Sequence, residues 1–268
     1  MSLFKYIKWS PGLTRFVYNI LYNRMAVKEC QINFEQTKQL EALKNIHKGD
    51  RCFIIGTGPS LKITDLETLK SEYTFAPNRI YELFDKTDWR PTYYICQDHK
   101  IIQTFADQIK AIKSELSFLP VNYKNEFTDR KYRFFVLKEQ LYYPYNAPFS
   151  KDVSKFLGQG YTVTYGAIQM AIYMGFSEIF LLGIDHNYNI IRDAKGRPLK
   201  KDDSCSNYPQ GMSNYVDMNN LPRIEESTIA YETAEKISRK MGVRIYNATR
   251  GGKLDSFERV DFDLIKKK

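Results

Sequence analysis

Short runs of β-forming residues recur along this chain of 268 residues, each followed by turn residues and then by a longer amphipathic stretch. Cys52 to Ile55, Tyr93 to Cys96, Leu116 to Asn122, Phe134 to Leu137, Glu178 to Leu182 and Arg244 to Asn247 read as strands. The first is apolar throughout, as a strand buried on both faces must be. Ile101 to Ile112, Thr164 to Met174 and Glu225 to Met241 carry helical spacing, while Thr74 to Phe75 and Arg79 to Leu83 flank Pro77-Asn78. Strands and helices that alternate in this way bury both faces of a sheet when it is parallel and doubly wound. The expected fold class is therefore α/β, with a single, mostly parallel, Rossmann-like sheet.

The length suits one large domain with appendages. Residues 1–48 read as an N-terminal helical extension, ending in a polar helix from Phe34 to His47 and a stop at Lys48-Gly49-Asp50. Residues 49–268 read as the nucleotide-binding catalytic domain. Within it, Asn189 to Arg223 is polar and rich in turn residues, too long for a routine connection; residues 189–226 are expected to form a lid, disorder being the alternative.

Lys and Arg exceed Asp and Glu by 40 to 31, a formal charge of +9, which calls for an anionic partner: nucleic acid, an acidic membrane or a phosphorylated substrate. No RNA-recognition signature, zinc finger or continuous basic helix supports nucleic acid. The segment "MSLFKYIKWSPGLTRFVYNILYNRM" mixes aromatic and basic residues without one acid, as an interfacial membrane anchor needs. The alternative is a helix packed on the domain or on another subunit of a homo-oligomer. The four cysteines lack CxxC spacing, and Cys52 and Cys96 fall inside strands. With no signal peptide or long apolar run, the expected location is the cytoplasm, at the inner membrane face if the anchor holds. Three histidines without a Cys/His cluster argue against zinc, and no metal site is expected.

The chemistry is expected outside the carboxyl ends of the strands. "RCFIIGTGPSLK" is a strand feeding a helix through Gly56 and Gly58, and free peptide N–H groups at such a turn suit phosphate; a purely structural turn is the alternative. Later strand ends and helix starts bring Asn78; Gln97, Asp98 and His99; Thr162 and Thr164; Gly183, Asp185, His186 and Tyr188; and Asn247, Thr249 and Arg250. These are mostly amides, hydroxyls and backbone donors, which read a base and ribose and meet phosphate through hydrogen bonds. There is no P-loop lysine motif, and Leu61 stands where a full GxGxxG would place its third glycine. Asp185 and His186 are the clearest acid/base pair, the carboxylate orienting the imidazole or raising its pKa. The alternative is a turn cap beside a structural histidine. The aromatic excess, 20 Tyr and 17 Phe, suits stacking on a base or sugar.

Together, "IIGTGPSL", Asn78, "GYTVTYGAIQMAIYMGFSEIFLLGIDHNY" and "GVRIYNATRGGKL" resemble the MptE-like, Maf-associated Rossmann family, related to the family 42 bacterial sialyltransferases. The resemblance runs from Gly49 to Val260. It implies a GT-A-like variant of the fold and a glycosyltransferase that takes a CMP-activated donor, a nonulosonic acid such as sialic acid, without a required metal. It implies a glycan or lipid-linked acceptor in surface polysaccharide or glycoconjugate synthesis. Carried over, Gly56, Thr57, Gly58 and Ser60 would lie by the phosphate; Asn78, with Gln97 or Asp98, by the sugar or phosphate. Thr162, Val163 and Thr164 would read the base or carboxylate through their backbone. Asp185, after Gly183, would bind ribose or a base edge, and Tyr188 would meet the leaving phosphate. The sialyltransferases carry their base, a histidine, in the lid, and residues 189–226 here contain none. That leaves Tyr208, Tyr215 or His186 as the base. The same family implies two alternatives: a pterin-type diphosphokinase using ATP and Mg²⁺, for which Asp98 and Asp185 are the available carboxylates, and a catalytically inactive nucleotide-binding module.

Overall fold

The computed structural model describes residues 33–138, 147–188, 190–192, 198–200, 208–210, 212–213 and 222–265, with Leu21, Arg24 and Lys28. The segment expected to contact the membrane, residues 1–25, therefore lies outside the described residues apart from Leu21 and Arg24, as does Tyr215.

In chain order the elements are α1 (Phe34–Glu41), β1 (Arg51–Ile55), α2 (Ile63–Thr68), β2 (Tyr73–Pro77), β3 (Tyr93–Ile95), α3 (His99–Thr104), α4 (Ala106–Ala111), β4 (Leu116–Pro120) and β5 (Tyr132–Phe135). There follow β6 (Leu137–Lys138), β7 (Leu157–Gly158), α5 (Val163–Met174), β8 (Glu178–Leu182), β9 (Ile190–Arg192), β10 (Pro198–Lys200), α6 (Ile224–Lys240), β11 (Arg244–Asn247), β12 (Glu258–Arg259) and α7 (Phe262–Ile265). Eight strands form one sheet in the order β12-β11-β8-β1-β2-β3-β4-β5, and every pairing in it is parallel. The expected α/β, doubly wound, Rossmann-like architecture is what forms.

Alternation along each strand divides the core. Cys52 and Ile54 face one layer with Ile168, Ala171 and Ile172 of α5, while Phe53 and Ile55 face the other with Leu66, Ile102 and Phe262. All but the first of the 12 residues of α5 are buried, which is why this helix reads as apolar on every side. Gln169 is the polar exception at its centre. Its Oε1 accepts from the Ser150 and Gly158 N–H groups at 2.8 and 2.9 Å, and its Nε2 donates to the Gly158 and Tyr165 carbonyls at 2.9 and 3.0 Å. A buried amide with its hydrogen bonds made can hold two loop segments against a helix without the cost of an orphaned polar group.

Three local expectations are corrected. The helix begun at Phe34 ends at Glu41, and the chain then runs along the carboxyl end of α5. There Asn45, His47 and Gly49 donate N–H bonds to the carbonyls of Tyr173, Met174 and Gly175 at 3.1, 2.8 and 3.1 Å. The unpaired last carbonyls of a helix are ready acceptors, and here they stop the earlier helix from continuing. Leu40 and Leu43 join the core, so the described part of the supposed extension packs into the domain ahead of residue 49. Ile101 to Ile112 is two short helices that break at Phe105, and Ile80–Leu83 is a 3-10 turn.

Replacing Gln169 with Leu leaves the Ser150 and Gly158 N–H groups buried without partners. It should cost about 2–5 kcal/mol, read as a lowered urea midpoint with an unchanged slope.

Candidate functional site

Successive strands run outward from β1 to β5 on one side and from β8 to β12 on the other, so the sheet's switch point lies between β1 and β8. A cleft of about 640 Å³ opens at the carboxyl ends of these strands, where ligands of open α/β sheets bind. Of the expected site residues, Gly56, Thr57, Gly58, Asn78, Gln97, Asp98, Thr162, Val163, Thr164, Gly183, Asp185, His186 and Tyr188 all line it. Ser60 does not.

The glycine turn differs from the expected phosphate cradle. The N–H groups of Gly56 and Gly58 donate to Leu182 and Gly183 carbonyls at 2.7 and 2.8 Å, and Ser60 N–H points at Asp185 Oδ2 from 3.4 Å. Pro59 has no N–H, so among the described residues Thr57 alone keeps a free peptide donor in this turn. The glycines are required by space rather than by backbone angle. A Cβ on Gly56 would lie 2.3 Å from the Gly183 carbonyl oxygen, and one on Gly58 would lie 2.0 Å from Asp185 Oδ2. The turns after β1 and β8 are pressed together, and both glycines are spent on that contact.

Asp185 faces this contact and does not orient His186. Its Oδ2 accepts from Ser60 Oγ at 2.7 Å, and its carbonyl accepts from Lys253 N–H at 2.7 Å. Burial pushes its carboxyl pKa up against the pull of the Ser60 hydrogen bonds. His186, only 8% exposed, has φ +49° and so turns away from its neighbour towards α6. Its Nε2 lies 2.7 Å from Thr228 Oγ1, whose hydroxyl donates to the Ile224 carbonyl at 2.8 Å. With that proton committed, the imidazole must donate from Nε2, which leaves Nδ1 carrying a lone pair. Burial also lowers the His186 pKa, the opposite of the expected carboxylate effect, so the ring is neutral at pH 7. Tyr188 packs edge-on to His186 at 6.3 Å between centroids, and burial raises its phenol pKa, keeping it a donor.

On the opposite wall, Asn78 has φ +50°, and its Oδ1 takes a weak bond from Cys96 Sγ at 3.5 Å. Gln97 is 8% exposed and its buried Oε1 has no partner. Asp98 caps α3 by accepting from Lys100 and Ile101 N–H at 2.9 and 3.1 Å, so one carboxylate oxygen is already in use. His99 Nδ1 meets Tyr123 OH at 2.9 Å at the exposed rim. Of the expected lid, β9 and β10 form an antiparallel hairpin. Arg79 pairs with Glu82 and binds Ser213, so the residues near Tyr208 are anchored beside β2. Asn247 and Thr249 are buried braces: Thr249 Oγ1 accepts from Ile184 N–H at 3.0 Å, and Arg250 binds Asp65.

The start of α5 offers what the glycine turn does not. Thr162 precedes it without a side-chain cap, leaving the Val163 and Thr164 N–H groups without helical acceptors. Thr162 Oγ1 meets Tyr231 OH of α6 at 3.2 Å. Arg223, at the entry to α6, stacks on Tyr161 at 4.7 Å. Arg79, Tyr161, Arg223 and Tyr231 line the cleft and were not singled out from the sequence. None follows a β-strand directly except Arg79, one residue beyond Asn78, and that proximity was its only signal. Of the four non-glycine residues with positive φ among the described residues, Asn78, Tyr161 and His186 line this cleft, and such strain gathers where function requires it. Among the described residues, no three His, Cys, Asp or Glu side chains gather as a metal cluster. Nor is any described helix long and apolar enough to cross a membrane.

Among solved structures, the Maf glycosyltransferase of Magnetospirillum magneticum AMB-1 shares this fold with a TM-score of 0.50 at 13% identity. The match covers 82% of this chain and 35% of that one, so this chain spans about a third of that protein. The sialyltransferase CstII of Campylobacter jejuni, solved with the substrate analogue cytidine-5′-monophosphate, matches at 14% identity and a TM-score of 0.39, over 78% of this chain and 84% of that one. No curated protein matches the chain in sequence. A family model described as 6-hydroxymethylpterin diphosphokinase MptE-like matches residues 28–190, from ahead of the packed α1 segment through the turn after β8. That span is more than half of the chain, and the protein belongs to the MptE-like family.

Proposed function

We propose that this protein is a glycosyltransferase that takes a nucleotide-activated sugar, a CMP-linked nonulosonic acid such as sialic acid, and passes it to a glycan or lipid-linked acceptor. One observation carries the reading: a neutral imidazole with a free Nδ1 and an uncapped helix start line the same cleft at the sheet's switch point. The acceptor hydroxyl oxygen forms the new bond to the anomeric carbon from the face opposite the phosphate. The anomeric carbon–phosphate oxygen bond breaks with inversion, its electron pair leaving on the nucleoside monophosphate. His186 Nδ1 takes the hydroxyl proton, and the Val163, Thr164 and Thr57 N–H groups with the Tyr188 hydroxyl stabilise the departing charge. Asp185 holds the two turns together, and Asn78 and Gln97 bind the sugar. Residues 49–268 carry this activity in the cytoplasm, with 189–226 as the lid. Residues 1–25 place it at the inner membrane face for surface polysaccharide or glycoconjugate synthesis.

The family description favours a second reading, transfer of diphosphate from ATP to a pterin with Mg²⁺. Its metal would call on Asp98 and Asp185, each with one oxygen already engaged by the protein. That fit is the poorer one.

Thermal unfolding separates the readings, since a ligand at 100 times its Kd stabilises by about 2.7 kcal/mol. CMP should raise the midpoint without Mg²⁺. A rise with ATP that requires Mg²⁺ would favour the diphosphokinase, and no response to either would overturn both.

His186→Ala should reduce turnover by roughly 10²–10⁴-fold while leaving the CMP-induced midpoint shift unchanged. Protonation of Nδ1 removes the base, and burial lowers the pKa from 6.5, so the acid limb of turnover should lie below pH 6.5. A wild-type limb above that value, or full turnover in the variant, would remove His186 from the mechanism.

A further inference from the structure

Arg223 stands where a cation is disfavoured. It occupies the cap position at the amino end of α6, against the positive end of the helix dipole, and makes no side-chain capping bond there. Its nearest carboxylate, Glu226 Oε1, lies 3.6 Å away, beyond hydrogen-bonding distance. The guanidinium carbon instead sits over the Tyr161 ring, 4.7 Å from its centroid, and among the described residues its one ion pair is that long contact with Glu226. Tyr161 is held at φ +54° and lies two residues before Val163, where α5 presents its uncapped N–H groups. Arg79, the other arginine in the cleft, is already held by Glu82 and Ser213. Gln97 lies in the same cleft, 8% exposed, and its buried side-chain Oε1 has no hydrogen-bond partner among the described residues, a desolvated acceptor that a ligand donor would satisfy.

We infer that Arg223 is the catalytic cation that receives the leaving phosphate, in concert with the first N–H groups of α5. This rests on the glycosyltransferase reading and adds to it the group that neutralises the leaving charge. As the anomeric carbon–oxygen bond breaks, its electron pair passes to the phosphate and the nucleoside monophosphate leaves as a dianion. The guanidinium fork donates two N–H bonds to the phosphate oxygens while His186 Nδ1 holds the acceptor's proton. Charge is balanced without a further reactant. The Tyr161 ring holds the guanidinium in place, and its planar pair of donors is something lysine cannot reproduce.

The test compares CMP with cytidine by calorimetric titration, in the wild type and in Arg223→Ala and Arg223→Lys. The arginine side chain is 57% exposed, so both variants should unfold at the wild-type midpoint. Arg223→Ala should weaken CMP by roughly 10- to 100-fold, lower turnover by at least as much, and leave cytidine affinity within about twofold. Arg223→Lys should fall between. If CMP and cytidine weaken alike, or CMP binding and turnover are unchanged, Arg223 does not meet the phosphate and the proposal fails while the glycosyltransferase reading stands. If the wild type does not bind CMP, that reading fails and this inference fails with it.

Discussion

The contact between the turns after β1 and β8 governs the rest of this site. Gly56 and Gly58 lie so near Gly183 and Asp185 that no side chain fits between them. Their peptide N–H groups close the gap on the Leu182 and Gly183 carbonyls. This joins the two strands at the sheet's switch point beyond the end of their ladder. Asp185 is drawn onto Ser60, and the next residue, His186, must leave in a left-handed conformation towards α6. The direction of the imidazole thus follows from a backbone approach three residues earlier, at Gly183. The same contact consumes most of the donors that a glycine turn would otherwise offer, so among the described residues the open peptide donors of the cleft are the Thr57 N–H and those at the start of α5.

A second constraint comes from α6, which reaches three parts of the cleft. Arg223 meets Tyr161 at its entry, Thr228 binds His186 one turn further, and Tyr231 touches Thr162 beyond that. Thr228 is the most informative of these, because its own hydrogen bond to Ile224 determines which imidazole nitrogen carries the proton. A threonine that bonds back to the preceding turn costs a helix little, and here it polarises a neighbour. A non-glycine residue in the left-handed region costs about 1–2 kcal/mol, and one bond of 2.7 Å to a fixed hydroxyl helps to offset that at His186. The imidazole, the helix start and the guanidinium are consequently all in contact with one helix.

Much of this was legible in the sequence, for identifiable reasons. The strands of the parallel sheet are buried on both faces, so their apolar runs stand out, and β8 and β11 fall where the runs fall. Residues just past strand ends line the cleft because a parallel sheet delivers them all to one edge. What was not legible depends on contacts between distant segments. The glycines after β1 look like a phosphate loop until the Gly183 carbonyl, far along the chain, is seen against them. Asp98 reads as a ligand but caps its own helix. The pairing of Asp185 with His186 is suggested by adjacency, and one positive φ undoes it. Arg223 and Tyr231 sit on a helix with no motif, and only packing of α6 beside α5 brings them to the site. The course of the chain just ahead of β1 was equally hidden, because it is set by the carbonyls at the end of α5, which accept from Asn45, His47 and Gly49.

The polar equipment of the cleft bears on how a member of the MptE-like family can handle phosphate. Among the described residues two carboxylates reach the cleft, and each has already given an oxygen to the protein, Asp98 to its helix start and Asp185 to Ser60. The remaining groups are donors: the first N–H groups of α5, the Thr57 N–H, a phenol whose pKa burial raises, and a guanidinium stacked on a ring. Such a set stabilises charge as it develops on a leaving oxygen, and it does so without reorganising at the moment of reaction. In the proposed transfer, the buried imidazole beside it takes the proton of the acceptor hydroxyl as the donor's bond to phosphate breaks. Phosphoryl transfer from a triphosphate instead requires carboxylates to hold a divalent ion across the phosphates, and Asp98 and Asp185 would first have to release bonds that shape α3 and the β1 turn.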